Sequence, residues 1–152
     1  MNVASWHKEW NGWVISADPS LLNRQCILKF LVEDSYWGKS RTQDQVNRAL
    51  DGSTWVFGLY RAEDGEQVGF CRVVSDSVTV GYLTDVFVLP KLQGQGLGKF
   101  LISSIMEHPG VAQVGRMILL TETPEFYELF GFTVHRPVDP MELMQRKLPG
   151  FL

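Results

Sequence analysis

Three glycines alternate at positions 94, 96 and 98, just after an apolar, β-branched run and a proline, in the order Val86-Phe87-Val88-Leu89-Pro90-Lys91-Leu92-Gln93-Gly94-Gln95-Gly96-Leu97-Gly98-Lys99. Lys99 then opens an amphipathic stretch. This spacing predicts a strand that turns tightly into a helix and leaves the amides at the helix start bare. The first four N–H groups of a helix have no partner within it, and the aligned peptide dipoles add partial positive charge there. Phosphate oxygens are the natural ligands of such a turn. The first chemical expectation is therefore a cofactor that carries a pyrophosphate.

The remaining reactive side chains are scattered. Cys26 and Cys71 lack the CxxC spacing of a metal or redox site, and two buried free thiols are expected. His7, His108 and His135 are equally dispersed, so no metal site is expected. The net charge of −3 argues against non-specific nucleic-acid binding, which needs many phosphate neutralisations from Lys and Arg. It also requires an anionic cofactor to be held locally, by oriented amides and a few cations. No apolar run approaches the ~18 residues of a membrane span, and the N-terminus lacks a signal-peptide core. The expectation is a cytoplasmic protein without membrane partners. A chain of 152 residues fits a single domain over 1–152 and buries ~70% of its unfolded surface.

The elements that must position the turn follow from periodicity. Residues 11–17 read as a first strand. Asp18-Pro19 makes a helix start, and Leu21, Leu22, Ile27, Leu28, Phe30 and Leu31 supply an apolar helical face to about Glu33. Thr42 with Gln45 forms a capping-box pattern for a second helix running to about Leu50. Thr54–Arg61 and Gln67–Val74 are strands joined by a hairpin at Gly65, and Ser75-Asp76-Ser77 turns into a long strand Val78–Leu89. Short turns make these three strands antiparallel, because parallel neighbours need a long crossover. A helix over about Gly96–Glu107 separates them from Met117–Thr121, which is expected to lie parallel to Val78–Leu89. Thr123 before Pro124 reads as the cap of a short helix ending near Gly131, with final strands over Phe132–His135 and Met141–Arg146. The expected fold is α/β, a mixed sheet with an antiparallel N-terminal meander, one parallel crossover and helices on both faces.

Among pyrophosphate binders, a P-loop is excluded because GK[ST] is missing and the preceding strand is not part of a parallel sheet. A dinucleotide fingerprint would put Lys99 where a small residue should let helix and strand pack, although Glu122 sits near the spacing of a ribose-binding carboxylate. Such folds begin with this turn and continue as parallel units, whereas here a meander precedes it. The pattern Gln93-x-x-Gly96-x-Gly98 after Val-Phe-Val and Pro90 instead resembles the acetyl-CoA loop of the GNAT N-acetyltransferase superfamily. Downstream, Phe126-Tyr127-Glu128-Leu129-Phe130-Gly131-Phe132 resembles the FYExxGF segment of that family, in the expected order and distance. The element order agrees over essentially the whole chain.

The resemblance implies acetyl-CoA as co-substrate and acetyl transfer to an amine by direct attack on the thioester. The amides of Gly94, Gln95, Gly96, Leu97, Gly98 and Lys99, with Gln93 beside them, would hold the pyrophosphate. Val86, Phe87 and Val88 would pair with the pantetheine arm. Tyr127 would donate a hydrogen bond to the departing sulfur and touch the cofactor. Asp85, which precedes the cofactor-pairing segment, is the first candidate for proton acceptor and Glu122 the second. In these folds the acceptor enters over the loop between the first two helices, which places Tyr36 and Trp37 near it. Arg72 and Asp76, on or beside a central strand, are further candidates to touch a polar acceptor or to pair with one another. Trp6, Trp10 and Trp13 are expected to pack on the sheet or form a homodimer contact. The acceptor is a small-molecule amine or a protein or peptide amine. One departure from the family is the turn Thr121-Glu122-Thr123-Pro124-Glu125, where many relatives carry an Asn or an Ala-rich turn. The competing reading is a non-catalytic acyl-CoA-binding sensor or scaffold, which needs the turn but not Tyr127.

Overall fold

A computed structural model describes residues 5–35, 41–136, 144–147 and 149. Six strands form one sheet in sequence order: β1 (His7–Trp10), β2 (Trp13–Ser16), β3 (Trp55–Arg61), β4 (Gln67–Ser75), β5 (Gly81–Val88) and β6 (Met117–Ile118). The first four pairings are antiparallel and β5–β6 is parallel. Helix α3 (Leu97–Glu107) supplies the crossover, as its position between two parallel strands requires.

Strand alternation divides the interior into two cores. On one face Ile15, Phe57, Leu59, Cys71, Val73 and Leu83 pack with Leu97, Leu101 and Ile105 of α3. On the other, Val56, Phe70 and Phe87 pack with α1 (Arg24–Leu28), the π-helical turn Lys29–Asp34 and α2 (Gln43–Asp51). Phe30 stacks on Phe87 with ring centroids 4.1 Å apart. Each such buried ring is worth about 2–3 kcal/mol of transfer free energy.

Several boundaries differ from the sequence expectation. The segment 11–17 is not one strand. Asn11 and Gly12, at φ 49° and 84°, form the two-residue turn of a hairpin between β1 and β2. The first helix is broken: Asp18 caps a single 3-10 turn (Pro19–Leu21), Leu22 is extended, and Asn23 caps α1 afresh by accepting from the Cys26 N–H. The helix then widens, with the Ser35 N–H reaching back five residues to Phe30 O at 2.8 Å. Strand β5 starts at Gly81 rather than Val78, because the Asp76 carboxylate gathers the N–H groups of Val78, Thr79 and Val80 into a tight loop. Pairing of β6 stops after Ile118, opposite Tyr82, so the chain from Leu119 onward parts from β5. The strand expected over Phe132–His135 is irregular: the Phe132 N–H bonds to Tyr127 O at 3.4 Å, turning the chain back on α4 (Pro124–Glu128). Met141–143 lies outside the described residues, and 144–147 form no strand.

Candidate functional site

The turn between β5 and α3 has the geometry that its glycines anticipated. Gly94 and Gly96 both adopt φ 83°, a left-handed conformation that side chains with a Cβ disfavour by about 1–2 kcal/mol. Among the described residues, no backbone N–H from Gly94 to Lys99 donates a hydrogen bond, and the first bond of α3 is Phe100 N–H to Gly96 O at 3.0 Å. Residues 93–96 and Lys99 are exposed. Six N–H groups thus lack a partner among the described residues, those of Gly94, Gln95, Gly96 and Lys99 on exposed residues at a helix N-terminus, which is the kind of donor set a diphosphate requires. The Gln93 side chain is committed elsewhere: its amide donates to Val88 O at 3.1 Å and braces the turn against the strand end. A Cβ on Gly96 would lie 3.6 Å from the Trp10 indole, whose ring also leans on Phe100 at 5.4 Å. Trp10 thus borders the turn, while Trp6 packs inward against Phe57 and His108, and Trp13 lies under the Arg61 guanidinium.

The second motif docks on the first. A Cβ at Gly98 would rest 3.4 Å from the Phe126 ring, in ordinary contact, so α4 lies against the start of α3. That contact sets Tyr127, the next residue, on the α3 side of the sheet, edge-on to Phe126 and Phe132 at 5.0 and 6.0 Å. Burial pushes its phenol up to about 12, with the Cys71 thiol adding to the rise. Thr123 does not cap α4 with its side chain; its hydroxyl lies 3.2 Å from that of Thr121.

Cys71 marks the middle of the site, because two residues of β5 oppose it. Phe70 pairs with Phe87 and Arg72 with Thr84, leaving Asp85 and Val86 together against a single residue. This is a β-bulge, with Asp85 at φ 56°. The extra residue reverses the alternation, so that Leu83 and Val88 both reach the α3 core. The Asp85 side chain goes to the opposite face. Arg41 grips it with both terminal nitrogens, at 2.8 and 2.9 Å, and Arg72 Nε joins at 2.7 Å. Burial acts to raise the Asp85 carboxyl, but the two guanidiniums outweigh it and hold the group below the usual carboxylate range. Arg41 directly precedes the Thr42–Gln45 capping box, which is fully formed at 3.2 and 2.8 Å. The cap fixes the backbone from which Arg41 reaches across to β5.

The other candidates separate. Arg72 pairs with Asp85, not with Asp76; the latter is spent on its own loop, whose hydrogen bonds hold its carboxyl far below the usual range. Glu122 is exposed and joins no ion pair among the described residues. Tyr36 and Trp37 lie outside the described residues. Val86 is half-buried, Phe87 and Val88 buried. Arg41 went unnoticed in the sequence, since nothing local links it to a residue 44 positions away.

Comparison with known proteins is consistent with this geometry. Residues 52–134 match the model of the acetyltransferase (GNAT) domain. A Gibberella zeae protein named for acetyltransferase activity is 35% identical over 137 residues, covering 78% of this chain and 76% of its own length. The chain spans about three fifths of the length of further curated relatives. A crystal structure of a GNAT-family protein from Xanthomonas campestris superposes with a TM-score of 0.82 at 39% identity, covering 93% of this chain and 97% of that one. Rv2747 of Mycobacterium tuberculosis, solved in complex with CoA, shares the fold at a TM-score of 0.63 and 21% identity, over 84% and 75% of the two chains. The chain is a member of the GNAT acetyltransferase family.

Proposed function

We propose that this protein transfers an acetyl group from acetyl-CoA to the nitrogen of an amine. The observation that carries the reading is the set of six uncommitted N–H donors from Gly94 to Lys99 at the start of α3. They fit the diphosphate of coenzyme A, with exposed Lys99 adding a cation. The arm of the cofactor would run along Val86–Val88, in the opening where β5 and the chain after Ile118 separate. That course leads from the glycine turn to the bulge, with Tyr127 on one face of the sheet and the arginine-bound Asp85 on the other.

The transfer joins the amine nitrogen to the carbonyl carbon, breaks the carbon–sulfur bond and releases one proton and a thiolate. Tyr127 contributes a hydrogen bond to the leaving sulfur. At about 12 its phenol is a far weaker acid than a free thiol near ~8.5, so it stays protonated while the thiolate departs. Asp85, held below its usual range by two arginines, acts in this reading by fixing the bulge rather than by accepting the amine proton. The exposed Glu122, which joins no ion pair among the described residues, and solvent water remain as acceptors for that proton.

The test is thiol release from acetyl-CoA in the presence of a panel of amines. Acceptor-dependent release that falls about 10-fold in Tyr127→Phe, as expected for loss of one charge-assisted hydrogen bond, supports the transferase. Tight binding of acetyl-CoA with no turnover for any amine would return the sensor or scaffold reading.

A further inference from the structure

We infer that the acceptor carries an anionic oxygen group, a carboxylate or a phosphate, near its nucleophilic nitrogen, and that Arg72 receives it. The inference rests on the transferase reading above and adds the charge class of the second substrate.

The ion cluster at the bulge is unbalanced. Arg41 and Arg72 share one carboxylate, and among the described residues no second Asp or Glu lies within 4.0 Å of either guanidinium. The side chains are only 12% and 13% exposed, and that of Asp85 is 3% exposed. Counted over the described residues, one positive charge is left over in this largely buried position, within a protein whose net charge is −3. A cation so placed is costly unless an anion completes it.

Arg72 retains the capacity. Its Nε is committed to Asp85, its Nη1 lies 3.4 Å from the Ser53 hydroxyl, and its Nη2 makes no hydrogen bond to a described residue. The surface beside it is exposed at Val74. Helices α1 and α2 cover Val56, Phe70 and Phe87; past Arg72 the same face is only partly covered, with Val74 42% exposed and Tyr82 and Thr84 half-buried. A ligand entering there meets a guanidinium edge, whose fork matches carboxylate and phosphate oxygens. The excess charge also works on the reacting nitrogen. A neighbouring cation disfavours the ammonium form, so the amine is more readily neutral. The same charge repels a polycation, which builds selectivity against polyamines into the site.

The experiment measures kcat/KM by thiol release for matched acceptors: β-alanine against 3-aminopropanol, phosphoethanolamine against ethanolamine, and spermidine. The anionic member of at least one pair is expected to exceed its neutral partner by about 10-fold or more, with spermidine lowest, as for one charge-assisted contact. The first pair reports a carboxylate site and the second a phosphate site. Arg72→Gln should bring the ratio within the favoured pair toward one, and Arg72→Lys should keep part of it. Inorganic phosphate should inhibit the unmodified protein competitively against the acceptor, a readout that stands even where Arg72→Gln fails to fold. Preference for neutral amines or spermidine, an unchanged ratio in folded Arg72→Gln, or phosphate competing only against acetyl-CoA would overturn the inference. So would acetyl-CoA binding with no turnover of any panel member. Absence of acetyl-CoA binding strikes the parent reading instead.

Discussion

Strand β5 carries two electrostatic sites of opposite character. Beyond its C-terminal end, the turn from Gly94 to Lys99 presents six N–H groups that nothing described in the protein uses. In its middle, Asp85 is held by two arginines at 2.7–2.9 Å and is almost wholly enclosed. One site is unfinished and built for a ligand's charge. The other is nearly finished, and its carboxylate holds the backbone in shape. Readiness to bind lies in unspent donors, so a buried charge that is already satisfied makes a poor proton acceptor, however close it stands to the chemistry.

The contrast is sharpest when each site is broken separately. Asp85→Asn leaves two enclosed guanidiniums without their anion and should cost about 3 kcal/mol in urea unfolding. The penalty has a pH signature. Because the folded carboxyl is held below its unfolded value, near ~3.9, its stabilisation is complete above that value and fades as pH falls through the folded one. The gap between the two proteins should therefore narrow below about pH 4. An equal gap at pH 3 and pH 7 would mean that the ion pair is not its source. At the turn, Gly96→Val forces a β-branched residue into the left-handed region and should weaken acetyl-CoA about 30-fold by calorimetry, roughly 2 kcal/mol.

Smaller changes refine the boundary between the sites. Tyr127→Phe should lower kcat about 10-fold while the acetyl-CoA dissociation constant stays within about twofold, since the hydroxyl acts on the leaving sulfur. Equal losses in both would make it a binding residue. Gly98→Ala should do least. Its new Cβ would rest in van der Waals contact with Phe126, and the helix-propensity gain of about 1 kcal/mol offsets slight crowding. A change of more than about threefold in cofactor affinity would show that Gly98, too, must admit a ligand at close range.

These sites were not equally legible in the sequence. The glycine turn, the capping box at Thr42 and the strand meander are written in neighbouring residues, where φ restrictions and alternation act directly. The Asn11-Gly12 hairpin carried an equally local signal that a single strand over 11–17 overlooked. The bulge is different. No residue type announces that Asp85 and Val86 will both oppose Cys71, because that register depends on how β4 and β5 meet. Arg41 belongs to the same class: its partner is decided by where α2 docks on the sheet. Long-range ion pairs of this kind set the charge environment of Asp85 and leave no mark in its neighbouring residues.

The most direct measurement compares, by calorimetry on the unmodified protein, acetyl-CoA with S-acetylpantetheine, which keeps the thioester and pantetheine but lacks the diphosphate and the adenosine 3′-phosphate attached to it. If the amides from Gly94 to Lys99 hold that diphosphate, acetyl-CoA binds about 100-fold more tightly or better, roughly 2.7 kcal/mol. Equal affinity for the two, or no heat with acetyl-CoA, would contradict the account.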